Sequence, residues 1–428
     1  MADLQKGKRK GRRGKPRSAA TPARLLAREL LQEQRVRDAY LRELVDARRE
    51  TSTIAAEEFA FAQVLAFGVV MTRGTLDELI DRNLESPHDV HAKLRDCLRI
   101  SAYELLFLDK PAPVVVDQGV ELARSCEPRA AGLTNAVLHK MARDAQGFPW
   151  GDTADSDAAF ARSFGMPVWL CERLISQYGR ERAAQMLSAC LKPAPAYLVD
   201  NLYPGGGQFA SDLSAQKVAS LVPLDEPVLE VGAGRGTKTA LLEGRALREF
   251  GHPISIYAVD VHEFKAHLLD ERMGKMGIEG VHALTADARD LSGVSELPDS
   301  VSVAFVDAPC SGTGTLRRHP EIRWKLAPEG VDDLSELQLS LLKGAAARVA
   351  VGGTLVYATC SILDEENQQV VDAFLASEEG SGFSVAPLNP EFATEEDAWA
   401  VSAKGAFVAL PREGGPDGHF AVRLVRNR

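Results

Sequence analysis

Two cysteines stand directly after apolar runs in this sequence: Cys310 in VDAPCSGTG (306–314) and Cys360 in VYATCSILDEEN (356–367). A thiolate is a competent nucleophile once a polar or electropositive setting stabilises it, so both are candidates for covalent chemistry. A free cysteine can equally be a small, inert core residue. That second reading is preferred for Cys97, Cys126, Cys171 and Cys190, which follow no such pattern. A further chemical signal is the turn GAGRGTKT (232–239), comprising Gly232, Ala233, Gly234, Arg235, Gly236, Thr237 and Lys238 before Thr239. Glycines between a strand and a helix let the backbone approach a ligand, and the free N–H groups of the helix start face its polar end. Asp260 closes YAVD, Asp287 closes TAD and Asp307 opens DAPC. Any one of these could be a helix cap or turn residue. A glycine turn and three acids at four consecutive strand ends describe one pocket instead.

The ligand follows from the donors. The turn lacks the Gly-Lys-Ser/Thr spacing of a phosphate-gripping loop, and a carboxylate-lined pocket disfavours a triphosphate without metal. Ribose hydroxyls, an adenine amino group and a cation suit it, which describes S-adenosyl-L-methionine. No metal site is expected, because no two cysteines share C-x-x-C spacing.

From residue 201 onward, short apolar runs (PVLEV, ISIYAV, VHALTA, VSVAFVDA, TLVYATC) alternate with helical segments. This alternation predicts a mostly parallel sheet with helices on both faces, and AFVAL and HFAVRLV predict a closing strand pair. Residues 22–145 show apolar positions at helical spacing, interrupted by the breaker KPAP (110–113), and predict a helical bundle. Arg73, Asp77, Asp81 and Arg82 there read as solvated faces and salt bridges.

Small residues after Cys310 leave room for a flat base. Methylation of cytosine at C5 needs a thiolate to add at C6, after which C5 can take a methyl group and lose its proton. Asp307 could then hydrogen-bond the N3 and N4 side of the base. DAPCSGTGTLRRHPEIRW with LVYATCSILDEEN resembles the Sun/RsmB family of RNA cytosine-5 methyltransferases. GQFASDLSAQ, EVGAGRGTKT and GGPDGHFAVRLV are similar to further segments of that family, and YELLFLDKPAP with GLTNAVLHKMAR resembles its NusB-like RNA-binding domain. The resemblance implies a multi-domain chain: an all-α NusB-like bundle, then an α/β class I (Rossmann-like) S-adenosylmethionine-dependent methyltransferase domain. It divides the chain into a basic disordered tail (1–20), the NusB-like domain (21–146), a helical connector (147–206) and the catalytic domain (207–428).

The same resemblance implies that Cys360 is the nucleophile, that Cys310 assists release, and that Asp307 acts in catalysis. It implies a cofactor site of residues 232–238 with Asp260, Asp287 and Asp307. The expected substrate is RNA, namely 16S ribosomal RNA. A DNA enzyme is disfavoured because Ser311, rather than glutamine, follows Pro309-Cys310. Two departures are visible. Arg235 and Thr237 replace the family's proline and glycine, and only 202–207 fills the place of an α/β wing, with Asp200 where an arginine is usual. They motivate an alternative, a catalytically weak RNA-binding ribosome-assembly factor of the same fold.

The chain has 428 residues and a net charge of -10, yet eight of the twelve residues from Lys6 to Arg17 are Lys or Arg. A basic arm on an acidic body suits phosphate contacts. Arg317, Arg318, His319, Arg323 and Trp324 are candidates to grip phosphate or stack on a base. The N-terminus lacks the apolar core of a signal peptide, and no apolar run is expected to span a bilayer. The expectation is a cytoplasmic monomer without a membrane partner.

Overall fold

The computed structural model describes residues 19–386, 388 and 399–428, so the basic arm at 6–17 lies outside the described residues. The chain forms two compact units, Met1–Gly165 and Met166–Arg428. The division falls inside the stretch read from sequence as a connector.

In the first unit, the helically spaced apolar residues form α1 (Pro22–Arg37), α2 (Leu41–Thr51), α3 (Ala56–Arg82), α4 (Ala92–Leu106), α5 (Ala112–Cys126), α6 (Ala131–Asp144) and α7 (Asp157–Phe164). Proline opens α1 and sits in the first turn of α5, where its missing N–H would have had no helical partner. Ser156 caps α7 by accepting from the Ala159 N–H, and Gly165 ends it at a positive φ of 61°. One core gathers Leu30, Leu65, Leu79, Leu98, Leu122 and Leu138. Arg24 and Glu104, both nearly fully buried, tie α1 to α4 through bonds of 3.0 and 2.5 Å. Asp77 accepts from Arg95 and Arg99, and Arg82 pairs with Asp144, so these charges form ion pairs, of which those of Asp77 are partly buried.

Contrary to the sequence expectation, α3 is long and apolar enough to cross a bilayer. Over half of its apolar window, 56%, is buried within the protein. The apolar side chains of α3 thus supply the bundle core.

The second unit begins with α8 (Val168–Tyr178), α9 (Arg180–Ala189), and the hairpin β1 (Leu198–Asp200) and β2 (Gln208–Ala210). The hairpin returns through Gly206 and Gly207, both at positive φ, so residues 201–207 form a tight connection. There follow α10 (Leu213–Leu221), β3 (Val228–Val231), α11 (Thr237–Phe250), β4 (Ile256–Asp260), α12 (Glu263–Met276), β5 (Val281–Thr285) and β6 (Val301–Asp307). The unit closes with α13 (Ile322–Lys325), α14 (Pro328–Ala346), β7 (Val349–Thr359), α15 (Gln368–Ala376), β8 (Phe383–Val385), β9 (Trp399–Val401), β10 (Phe407–Ala409) and β11 (His419–Arg426).

Among the described residues, nine strands form one sheet in the order β5-β4-β3-β6-β7-β11-β10-β9, with β8 also paired to β11. Strands β3 to β7 are parallel, and β11 runs antiparallel to β7. Side chains alternate across the sheet. Val228, Ile256, Phe305 and Val356 face a core shared with Leu241 and Leu269. Leu229, Val306 and Tyr357 face the other core, with Leu342 and Phe374. Double-sided burial explains why the strands read as near-continuous apolar runs. Strand order reverses between β3 and β6, which places a crevice at their carboxyl ends.

Candidate active site

The glycine turn fills that crevice. Gly232, Gly234 and Gly236 have φ values of 79°, 57° and 73°, a left-handed region costly for other residues. A Cβ on Gly232 would lie 2.3 Å from the Asp307 carbonyl oxygen, so only glycine lets β3 and β6 meet there. Gly236 precedes α11, whose first turn carries Lys238. The turn is held from outside by Arg272, which donates to the Arg235 carbonyl and to Thr237 Oγ1, both at 2.9 Å.

Lys238 and Asp307 meet across the β3/β6 crevice at 2.8 and 2.7 Å. Burial opposes the ammonium charge, but Asp307 more than offsets it, and both active-site sulfurs add to the same effect, so the Lys238 pKa is raised. Asp260 is buried at the end of β4 and accepts from the His262 N–H at 3.0 Å. Asp287 differs from these two: its side chain is 42% exposed and bidentately paired with Arg289, which holds its carboxyl below the usual range. Arg235 is exposed, whereas Ala233 is buried.

Both cysteines lie just beyond parallel neighbours, Cys310 after β6 and Cys360 after β7, and the register brings their sulfurs within 3.3 Å. A hydrogen bond to Cys360 and then burial push the Cys310 thiol well above its usual pKa, so Cys310 keeps its proton. Behind the pair lies Glu366, fully buried. It accepts from the Ser311 N–H at 2.7 Å, from the Ser311 hydroxyl, from the Ser361 hydroxyl at 2.5 Å and from Gln338 at 3.0 Å. One carboxylate thus fixes the residues that follow both cysteines. Asn367 joins Thr359 to the Ser361 carbonyl, and the Gly314 N–H reaches the Cys360 carbonyl at 2.9 Å.

The arginines after Cys310 are not an RNA grip. Arg317 is 1% exposed and pairs with Asp417 at 2.6 Å, while donating to the Gly415 carbonyl. Arg318 pairs with Asp417 and Asp212. Arg323 is fully buried, and burial lowers its pKa to about 10. Arg317 and Arg318 lock the loop after β6 to the turn before β11 and to the N-cap of α10, and Arg323 donates to the Leu316 carbonyl within that loop. His319 and Trp324 are half-buried.

Sequence reasoning passed over several residues of the site. Glu230 in β3 is fully buried, accepts from Thr239 at 2.7 Å and leaves Oε1 without a hydrogen-bond partner among the described residues; burial raises its pKa to about 7. His419 is buried at the start of β11; burial and then Lys238 lower its pKa to about 4, so the imidazole is neutral. Glu366 stood within the motif quoted for Cys360, and that membership was the available signal. Asp417 and His419 likewise stood within GGPDGHFAVRLV, and Arg272 had no local signal.

Comparison with known proteins agrees with this geometry. Residues 219–425 match the family model described as 16S rRNA methyltransferase RsmB/F, and residues 21–143 match the NusB family. Ribosomal RNA small subunit methyltransferase B of Thermus thermophilus is 30% identical over 431 residues, covering 95% of this chain and 98% of that protein. Probable ribosomal RNA small subunit methyltransferase B of Bacillus subtilis is 27% identical, covering 94% and 98%. The crystal structure of PH0851 shares the fold with a TM-score of 0.73 at 21% identity, over 96% of this chain and 100% of that one. The chain is a methyltransferase and belongs to the RsmB/F family of 16S rRNA methyltransferases.

Proposed function

We propose that the protein methylates C5 of a cytidine in 16S ribosomal RNA, using S-adenosyl-L-methionine and a covalent Cys360–C6 adduct. The observation that carries this reading is the 3.3 Å approach of Cys310 to Cys360, beside the Lys238–Asp307 pair. The crevice fits the cofactor: Gly234 leaves space where a Cβ would stand, Glu230 keeps a buried oxygen with no hydrogen-bond partner among the described residues, and Asp260 supplies an acid at the end of β4. We assign the cofactor site to residues 232–238 with Asp260 and Asp307, and Asp287 to its exposed rim. When bound, the cofactor supplies an electrophilic methyl group.

The roles of the chain's own residues follow. Cys360 attacks C6 as the thiolate, and the new S–C bond pushes electron density onto C5. The Lys238 ammonium stabilises negative charge at the sulfurs and holds Asp307 against the crevice wall. Asp307 accepts a hydrogen bond from the polar edge of the base. After methyl transfer a solvent water takes the C5 proton, the C–H electron pair re-forms the C5=C6 double bond, and Cys360 leaves with the C6–S pair as the thiolate. Cys310, still protonated, donates to the departing sulfur across 3.3 Å. The target base must be unstacked to reach these groups. We assign RNA docking to the NusB-like helices of the first unit, with 166–206 as part of the catalytic unit.

The test is calorimetric titration with S-adenosylmethionine, followed by methyl transfer to 16S rRNA fragments and identification of the product nucleoside. 5-Methylcytidine is the expected product. A methylated base other than cytosine would overturn the reading, and failure to bind the cofactor would leave an RNA-binding assembly factor.

A further inference from the structure

Helix α8 lies in a stretch that neither family model matches, since one match ends at residue 143 and the other begins at 219. Leu170, Cys171 and Leu174 anchor the helix in the second unit, each fully buried. Its last turn meets the loop that carries Cys360. Gln177 Nε2 and the Tyr178 hydroxyl both donate to the Ile362 carbonyl, at 3.2 and 2.8 Å. In return the Asp364 N–H donates to Gln177 Oε1 at 3.2 Å. Arg173 adds an ion pair with Glu365 at 3.5 Å. Positions 173 and 177 lie one turn apart on one face, Tyr178 ends the same turn, and the partners of the three are three of the four residues 362–365.

We propose that Gln177 and Tyr178 are positioning residues that set the reach of the Cys360 sulfur, an inference that rests on Cys360 being the nucleophile. The loop leaves β7 at Thr359, so beyond that point no strand ladder fixes its backbone. Glu366 and Asn367 hold it from behind, through Ser361. Gln177 pairs with it from the front as a neighbouring strand would, offering a donor to one residue and an acceptor to the second residue on. Ile362 is two residues from Cys360, so a shift of its carbonyl moves the sulfur relative to C6 of the base. Misplacing a reacting atom by an ångström can cost about 100-fold in rate.

Gln177 is exposed, so its replacement should leave the melting temperature close to that of the parent. The test compares the parent with Gln177→Ala, Tyr178→Phe and the double variant. RNA carrying 5-fluorocytidine traps the adduct, because fluorine at C5 cannot leave as a proton does, and its rate of formation is read in a single turnover. Cofactor affinity, melting temperature and hydrogen exchange of the Asp364 amide are measured alongside. The double variant should form adduct about 10- to 100-fold more slowly, with faster Asp364 exchange but parental cofactor affinity and melting temperature. A parental adduct rate in the double variant would overturn the proposal, as would unchanged Asp364 exchange. If even the parent forms no adduct while the exchange contrast holds, α8 still fixes the loop and the C6-addition reading is what fails.

Discussion

The ammonium of Lys238 sits 2.8 and 2.7 Å from the two carboxylate oxygens of Asp307, joining the first turn of α11 to the end of β6. The pair spans the switch point of the sheet, between the glycine turn and the cysteine that follows Asp307. Lys238→Met keeps much of the side-chain volume and removes the charge. It leaves Asp307 in the crevice without its partner and removes the cation that both sulfurs feel. We expect methyl transfer to fall about 100-fold in kcat. Near-parental kcat would remove Lys238 from the chemistry.

Glu230 makes stability depend on pH. Its folded pKa is raised to about 7 from 4.5 by burial, although Thr239 favours the charged form. Between those values the folded protein holds a proton that the unfolded chain has released, so stability falls as pH rises through the window. The full loss, on the order of 3 kcal/mol, is reached above pH 7. Glu230→Gln stays neutral throughout and keeps an acceptor for Thr239. The variant should therefore gain on the parent in denaturant unfolding between pH 5 and pH 8, measured without cofactor. Parallel stability curves would show that Glu230 is already ionised in the fold.

Glu366 links the two cysteine loops, and its removal should damage both. Glu366→Ala leaves the Ser311 N–H, two hydroxyls and the Gln338 amide facing a cavity. Unsatisfied buried donors cost about 1–3 kcal/mol each, so a loss of about 3 kcal/mol or more in urea unfolding is expected. Water entering the cavity is the one route to a smaller loss. A variant as stable as the parent, with parental adduct rates, would mean that the loops hold their shape without this carboxylate.

The parts of the site that lie along one strand and its following turn were legible in the sequence. Strands β3 to β7, the glycine turn and both cysteines announce themselves through local apolar runs and small residues. What joins segments far apart was not. Arg317 and Arg318 read as an RNA-facing cluster because their charges are adjacent, but Asp417 lies 100 and 99 residues away and buries them. The contact of α8 with the Cys360 loop spans 184 and 185 residues. Asp287 shows the opposite limit: its place at a strand end was readable, but the fork with Arg289, two residues on, that turns its carboxylate to the rim was not.

Whether Cys360 attacks and Cys310 assists release is read most directly from a denaturing gel. The parent, Cys360→Ala and Cys310→Ala are incubated with a 16S rRNA fragment and radiolabelled S-adenosylmethionine. The account predicts that Cys310→Ala accumulates a covalent protein–RNA band, while Cys360→Ala yields neither that band nor methylated RNA. A band that forms in Cys360→Ala and vanishes in Cys310→Ala would reverse the two roles and contradict it.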